Sequence, residues 1–137
     1  MKKSILFFTT FIFFTVVTSC STNSNSSTTD SFAGAWKLVN VNGTIAGINN
    51  NFPLGMITWN FNSNNQTVTV VNNNTDPNLW DVLETGTYNY QFINNPDLPC
   101  GESIKIDGVE YGCYTFANDS LVIDQSITDG FAITLKH

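Results

Sequence analysis

Arginine is absent from this chain, and histidine occurs once, at the last position, His137. Nucleic-acid binding needs a basic footprint that releases phosphate counterions, and five lysines without arginine do not supply one. The same shortage argues against a polybasic patch for lipid headgroups. A terminal histidine is expected to be solvated and without a role. No Ser-His-acid or Cys-His set assembles around it, so no catalytic residue is assigned. Three cysteines, Cys20, Cys100 and Cys113, have the wrong spacing for a redox CxxC pair or a four-ligand zinc site. A phosphate-cradling glycine loop is also missing. Asn60, Asn62 and Asn64 have the spacing of a calcium loop but lack its carboxylates and closing Glu, so they read as a polar strand face and a turn. No metal and no cofactor is expected.

The first thirty residues are unlike the rest. Met1-Lys2-Lys3 is followed by an apolar run from Ile5 to Val17 containing five of the eleven phenylalanines. A basic start, a short apolar centre and small residues before a cut site are the layout of a secretory signal. The run is shorter than the roughly 20 residues that a membrane-crossing helix needs. Val17-Thr18-Ser19-Cys20 resembles the lipobox of bacterial lipoproteins. That resemblance implies cleavage before Cys20, a diacylglycerol on its sulfur and acylation of the new amino end. Each buried methylene adds about 0.8 kcal/mol, so several chains together anchor durably. Residues 20–31 then read as the lipidated cysteine and a Ser/Thr/Asn tether with too little apolar surface to fold. Ser21 after the cysteine resembles lipoproteins sent to the outer membrane, and the lack of an acidic cluster there resembles those facing the periplasm.

The remainder, residues 32–137, is one domain's worth of chain and long enough for a single core. Past residue 19, three lysines face eleven acids, a formal balance of −8. That charge favours solubility. Two thiols other than Cys20 in an exported chain are expected to pair. A Cys100–Cys113 bridge closes a short loop and is worth about 3 kcal/mol in the chain-entropy model.

No 3.6-residue apolar period appears after the signal. Period-two alternation does: Ile57, Trp59, Phe61; Val68, Val70; Tyr88, Tyr90, Phe92; Leu121, Ile123; and Phe131, Ile133, Leu135. Asn42-Gly43, Asn64-Asn65, Asp107-Gly108 and Asp129-Gly130 read as the turns between such runs, because Asn, Asp and Gly tolerate positive φ. A two-residue turn at Asp107-Gly108 pairs Ile106 with Val109, Lys105 with Glu110 and Ile104 with Tyr111. Strict register then sets Cys113 opposite Glu102, with Gly112 a candidate bulge. Residues 44–52 read as a poor strand or a loop. Residues 72–84 read as a long loop or a short helical turn capped by Asp76, with Pro77 at its first position. Eight or nine strands joined mainly by hairpins predict an all-β, antiparallel up-and-down barrel or a flattened sandwich.

Gly34-Ala35-Trp36-Lys37-Leu38, Gly86-Thr87-Tyr88, the turn Asn118 to Leu121 and the closing strand Phe131 to Lys136 come in a telling order. Together they resemble the small lipocalin-like domains of lipoproteins from Bacteroidetes-type bacteria. The resemblance implies a barrel of about eight strands, plugged at one end by the Gly34–Trp36 motif and open to a small apolar ligand at the other. Lipocalins place an arginine of the last strand over the plug tryptophan; here only Lys136 stands in that region. Trp59, Phe61, Tyr88 and Tyr90 are the candidate pocket residues. Eight strands leave an interior just wide enough to be filled by side chains, so core is their weightier reading. Asp119-Ser120-Leu121 is similar to the O-glycan acceptor of exported proteins in such bacteria, making Ser120 a candidate; a plain turn is the alternative. The functional expectation is a membrane-anchored, non-catalytic binding module for a small apolar ligand or an envelope protein. The alternative is an inhibitor of a lysozyme-type enzyme, since an acidic body suits a basic partner.

Overall fold

The computed structural model describes residues 31–43, 47–125 and 130–137. The signal, Cys20, the tether up to Asp30, and Asp129 of the last expected turn lie outside the described residues. Nine strands are described: β1 (Gly34–Gly43), β2 (Ile48–Asn51), β3 (Ile57–Asn62), β4 (Thr67–Asn72), β5 (Gly86–Asn94), β6 (Glu102–Ile106), β7 (Val109–Ala117), β8 (Ser120–Asp124) and β9 (Ala132–Lys136). Each of β3 through β8 pairs antiparallel with the next, and β9 returns to pair with β1. The protein is thus an all-β, closed eight-stranded barrel with β2 as one extra strand. The expected architecture holds.

β1 closes the barrel by having three partners. Its first half pairs with β3, Trp36 opposite Trp59, while its second half pairs with the short β2, Val41 opposite Asn50. β9 lies along its other edge, with a register shift between Leu38 and Asn40. Residues 44–52 therefore include a strand after all. The Asn42-Gly43 turn is corrected: both residues extend β1 and pair with Asn49 and Ile48, because the cross-strand ladder outweighs their local turn preference.

Two strands change partner midway. β5 pairs with β4 over residues 86–89 and with β6 over residues 90–94. β7 pairs with β6 as far as Gly112 and with β8 from Cys113 onward. The Asp107-Gly108 hairpin holds its expected first two pairs, Ile106 with Val109 and Lys105 with Glu110. The third is corrected: Ile104 faces Gly112 and not Tyr111. The bulge at Gly112 also places Cys113 opposite Asp124 of β8 instead of Glu102. A bulge adds one residue to one strand and raises its twist, which is what lets β7 hand over from β6 to β8.

Alternation carries the core. Leu38, Ile57, Trp59, Val68, Val70, Ile104, Ile106, Leu121, Ile123 and Leu135 are fully buried, and all lie on inward positions of their strands. Full burial of such a side chain stabilises the fold by about 1.5–3 kcal/mol.

A plugged base and a looped mouth

The barrel has two unlike ends. At the base, where β1 begins and β3, β7 and β9 end, Phe32 is fully buried. Its ring meets Phe61, Phe92, Tyr114 and Phe116 at centroid distances of 4.9 to 5.3 Å. Edge-on and tilted geometries of this kind add stabilisation beyond the area buried. The indole Nε1 of Trp36 donates to the Phe32 carbonyl at 2.9 Å, which fixes the segment entering β1. Trp36 is buried at the base, but Phe32 is the residue at the centre of the aromatic cage. Gly34 opens β1 at φ +116°, a conformation that side chains with a Cβ rarely adopt.

His137 is exposed, as expected, but its ring has a partner. Its imidazole lies on Trp36 with centroids 3.7 Å apart, and its Nδ1 is 3.2 Å from the Ala35 carbonyl. Its backbone N–H donates to the Asp119 carbonyl at 3.3 Å. Lys136 is exposed. The ring over the plug tryptophan therefore comes from the last residue. Strand alternation explains this, since Leu135 and His137 share a side and Lys136 takes the other.

Of the four candidate pocket residues, Trp59, Phe61 and Tyr90 come together in the interior at 0, 2 and 3 % exposure. Phe61 bridges them, 6.3 Å from Trp59 and 5.3 Å from Tyr90. At that exposure they are core. Trp59 Nε1 and the Tyr90 hydroxyl are buried without a hydrogen-bond partner among the described residues. Burial pushes the Tyr90 phenol up from its ordinary value. Tyr88 is set apart from the three, half-buried, with its hydroxyl donating to the Glu84 carbonyl at 3.0 Å.

No family model, no curated protein and no solved structure matches this chain. Its site is therefore read from its own geometry, and the mouth is its most distinctive part. Residues 73–85 link β4 to β5 there. Asn72 and Thr85 clamp the base of this loop: the Asn72 N–H donates to Thr85 Oγ1 at 2.9 Å, and that hydroxyl donates to the Asn72 carbonyl at 3.1 Å. The Asp81 carboxylate accepts from Asn72 and Asn74 side chains at 2.8 and 3.0 Å. The Asp76-Pro77 segment is a turn and not a helix, with Asp76 Oδ1 accepting the Asn78 N–H at 2.9 Å. These bonds to Asn78 hold the Asp76 carboxyl below its ordinary range.

So held, the loop packs Leu79, Val82 and Leu83 against the core. Trp80 is 37 % exposed, with its ring 4.0 Å from Phe131, the residue before β9. Asn50 of β2 donates to the Trp80 carbonyl at 3.3 Å. Tyr111 is half-buried; burial, then the neighbouring Tyr88 and Asp107, push its phenol up. The sequence leaves residues 72–84 as a long loop or a short helical turn and does not single out Trp80. An isolated tryptophan among Asn, Asp and Pro was the available signal.

The remaining assigned residues sit elsewhere. Cys100 and Cys113 are joined, with Cα atoms 6.0 Å apart. Beneath this bridge a carboxylate network ties the β5–β6 connection to β7. Glu110 Oε1 accepts from Ser103 at 2.6 Å and from Asn95 at 2.9 Å, and Glu102 accepts from the Tyr114 hydroxyl. The Ser103 bond, then the Asn95 bond, hold the Glu110 carboxyl below its ordinary range. Ser120 opens β8 after the two-residue turn at Asn118, whose φ is +54°, and is half-buried beside Lys136. Among the described residues no three His, Cys, Asp or Glu side chains are placed to hold a metal ion.

Proposed function

We propose that this chain is a lipid-anchored, non-catalytic binding module of the cell envelope. Cys20 is its membrane attachment, at the periplasmic face of the outer membrane. Its binding surface is the looped mouth of the barrel. The observation that carries this reading is Trp80: a large aromatic side chain held half out of the protein, against Phe131, by a loop that is itself fixed by its own amide and carboxylate bonds. Solvent gains nothing from such an arrangement, whereas a small apolar molecule gains a flat, pre-ordered face. The packed axis argues for a ligand lying at the mouth over one threaded through the barrel.

The test uses the chain from Ser21, since β1–β9 pairing closes within residues 34–136. It is exported to a periplasm and purified without detergent. Native mass spectrometry is expected to find a discrete added mass that leaves on activation and is absent in Trp80→Ala. A bare chain whose tryptophan emission ignores added lauric acid or Nile red would sink the small-ligand reading. Inhibition of lysozyme by the same sample would point to the protein-docking alternative.

A further inference from the structure

β3, β4 and β5 contain no charged residue, in a chain with eleven acids. Their outward side chains form rows across the sheet. Asn60, Thr69 and Thr87 are cross-strand neighbours, as are Asn62, Thr67 and Asn89. Thr69 and Thr87 bring their hydroxyls within 3.1 Å of each other. Neighbouring strands lie about 4.8 Å apart and alternate residues along each lie about 6.8 Å apart. Apart from Val71, which is 47 % exposed on β4, the face is therefore a grid of hydroxyls and carboxamides, each able to donate and accept.

One edge of this grid ends in a notch. β5 leaves β4 after Asn89 and joins β6 at Tyr90, and the change of partner opens the outer surface. The notch encloses about 170 Å³ and is lined by Asn89, Tyr90, Gln91, Lys105 and Gly108. The backbone there is already satisfied: Tyr90 donates to the Gln66 carbonyl at 2.9 Å and Asp107 donates to the Asn89 carbonyl at 2.8 Å. Asn89 and Gln91 are exposed and line the notch, and each carboxamide can both donate and accept. Lys105 adds an ammonium donor. Its cross-strand neighbour Glu110 commits Oε1 to Ser103 and Asn95.

We propose that this notch is a subsite for one ring of a neutral glycan, with the uncharged rows beyond it carrying the next part of the chain. A void of this size is below the roughly 300 Å³ at which a whole small-molecule pocket begins, so one ring enters and the rest stays on the face. Carboxamides pair with hydroxyls that both donate and accept. The balance of −8 repels a polyanionic chain, which selects neutral sugars over uronates or phosphorylated polymers despite Lys105. The subsite is on the side of the barrel, away from Trp80, and does not rest on the mouth reading.

The test is amide chemical-shift mapping of the chain from Ser21. The probes are cellohexaose, laminarihexaose, mannohexaose and chitohexaose at up to about 10 mM, with a galacturonate hexamer as the acidic probe. One neutral hexasaccharide is expected to move the resonances of Asn89, Gln91, Lys105 and Gly108, with an affinity unchanged by added salt. The double variant Asn89→Ala/Gln91→Ala is expected to weaken it at least tenfold at an unaltered melting temperature; Lys105→Met should weaken it less. Silence of all four neutral probes overturns the proposal. So does a response only to the galacturonate that salt abolishes, or shifts confined to Trp80 and its loop.

Discussion

The His137 imidazole stacks on the Trp36 indole at 3.7 Å, with ring planes 33° apart, at the closed end of the barrel. The contact joins the last residue to the first strand, across the seam where β9 meets β1. Removing the ring is expected to loosen that seam. His137→Ala should lower stability by about 1 kcal/mol, read as a lower urea midpoint, and should shift Trp36 emission. His137→Arg should keep most of the stability, because a guanidinium also stacks on an indole face. Equal midpoints for wild type and His137→Ala would show the stacking to be incidental.

Gly112 is held more rigidly. Its φ is +89°, and a Cβ there would lie 2.4 Å from the Asp124 carbonyl oxygen, a backbone atom that cannot swing aside. The bulge it forms passes β7 from β6 to β8. Gly112→Ala is therefore expected to cost about 2–3 kcal/mol, combining backbone strain with displacement of β8. Urea unfolding of the oxidised protein measures it, and an unchanged midpoint would refute the claim that this bulge needs glycine.

These two residues mark what was legible in the sequence and what was not. The barrel was legible because inward residues recur with period two, and burial follows that period at Ile57, Trp59, Phe61, Val68 and Val70. The hairpin at Asp107-Gly108 was legible because its turn chemistry is local. Gly112 appeared as a candidate bulge, but its effect on Cys113 was hidden: one inserted residue changes which strand lies opposite, and that depends on the whole barrel closing. The contact that the exposed His137 makes with Trp36 is hidden for a related reason. Its environment is built by Trp36, 101 positions away, and no local pattern announces it. Phe32 was missed although it is the one large apolar residue between the tether and Gly34.

Tyr90 tests whether the unpartnered interior donors matter to stability. Its hydroxyl is buried and unsatisfied, and a lone buried polar group costs about 1–3 kcal/mol. Tyr90→Phe is expected to be neutral or to stabilise by up to about 1 kcal/mol. The phenol is raised by burial, so the unfolded chain loses its proton first and stability falls as pH climbs past the ordinary tyrosine value. Tyr90→Phe should make that alkaline decline shallower, with Tyr111 supplying the remainder. A clear loss of stability at neutral pH would mean that the hydroxyl has a partner after all, such as a bound water.

Glu110 is expected to contribute to the acid sensitivity of the fold. Its carboxylate is held low first by Ser103 and then by Asn95, and both bonds favour the ionised form. A depressed folded value means that the contribution is complete above the unfolded glutamate value and is lost as pH falls through the folded one. Carbon-detected titration of the Glu110 carboxyl should give a midpoint below the ordinary glutamate range, moving upward in Ser103→Ala. Glu110→Gln should flatten that part of the stability curve, because an amide has no proton to gain there. The same network ties the β5–β6 connection to β7 beneath the Cys100–Cys113 bridge. Loss of the carboxylate should therefore also raise amide exchange at Asn95 and its neighbours. A Glu110 midpoint indifferent to Ser103→Ala would assign the acid sensitivity to another carboxylate.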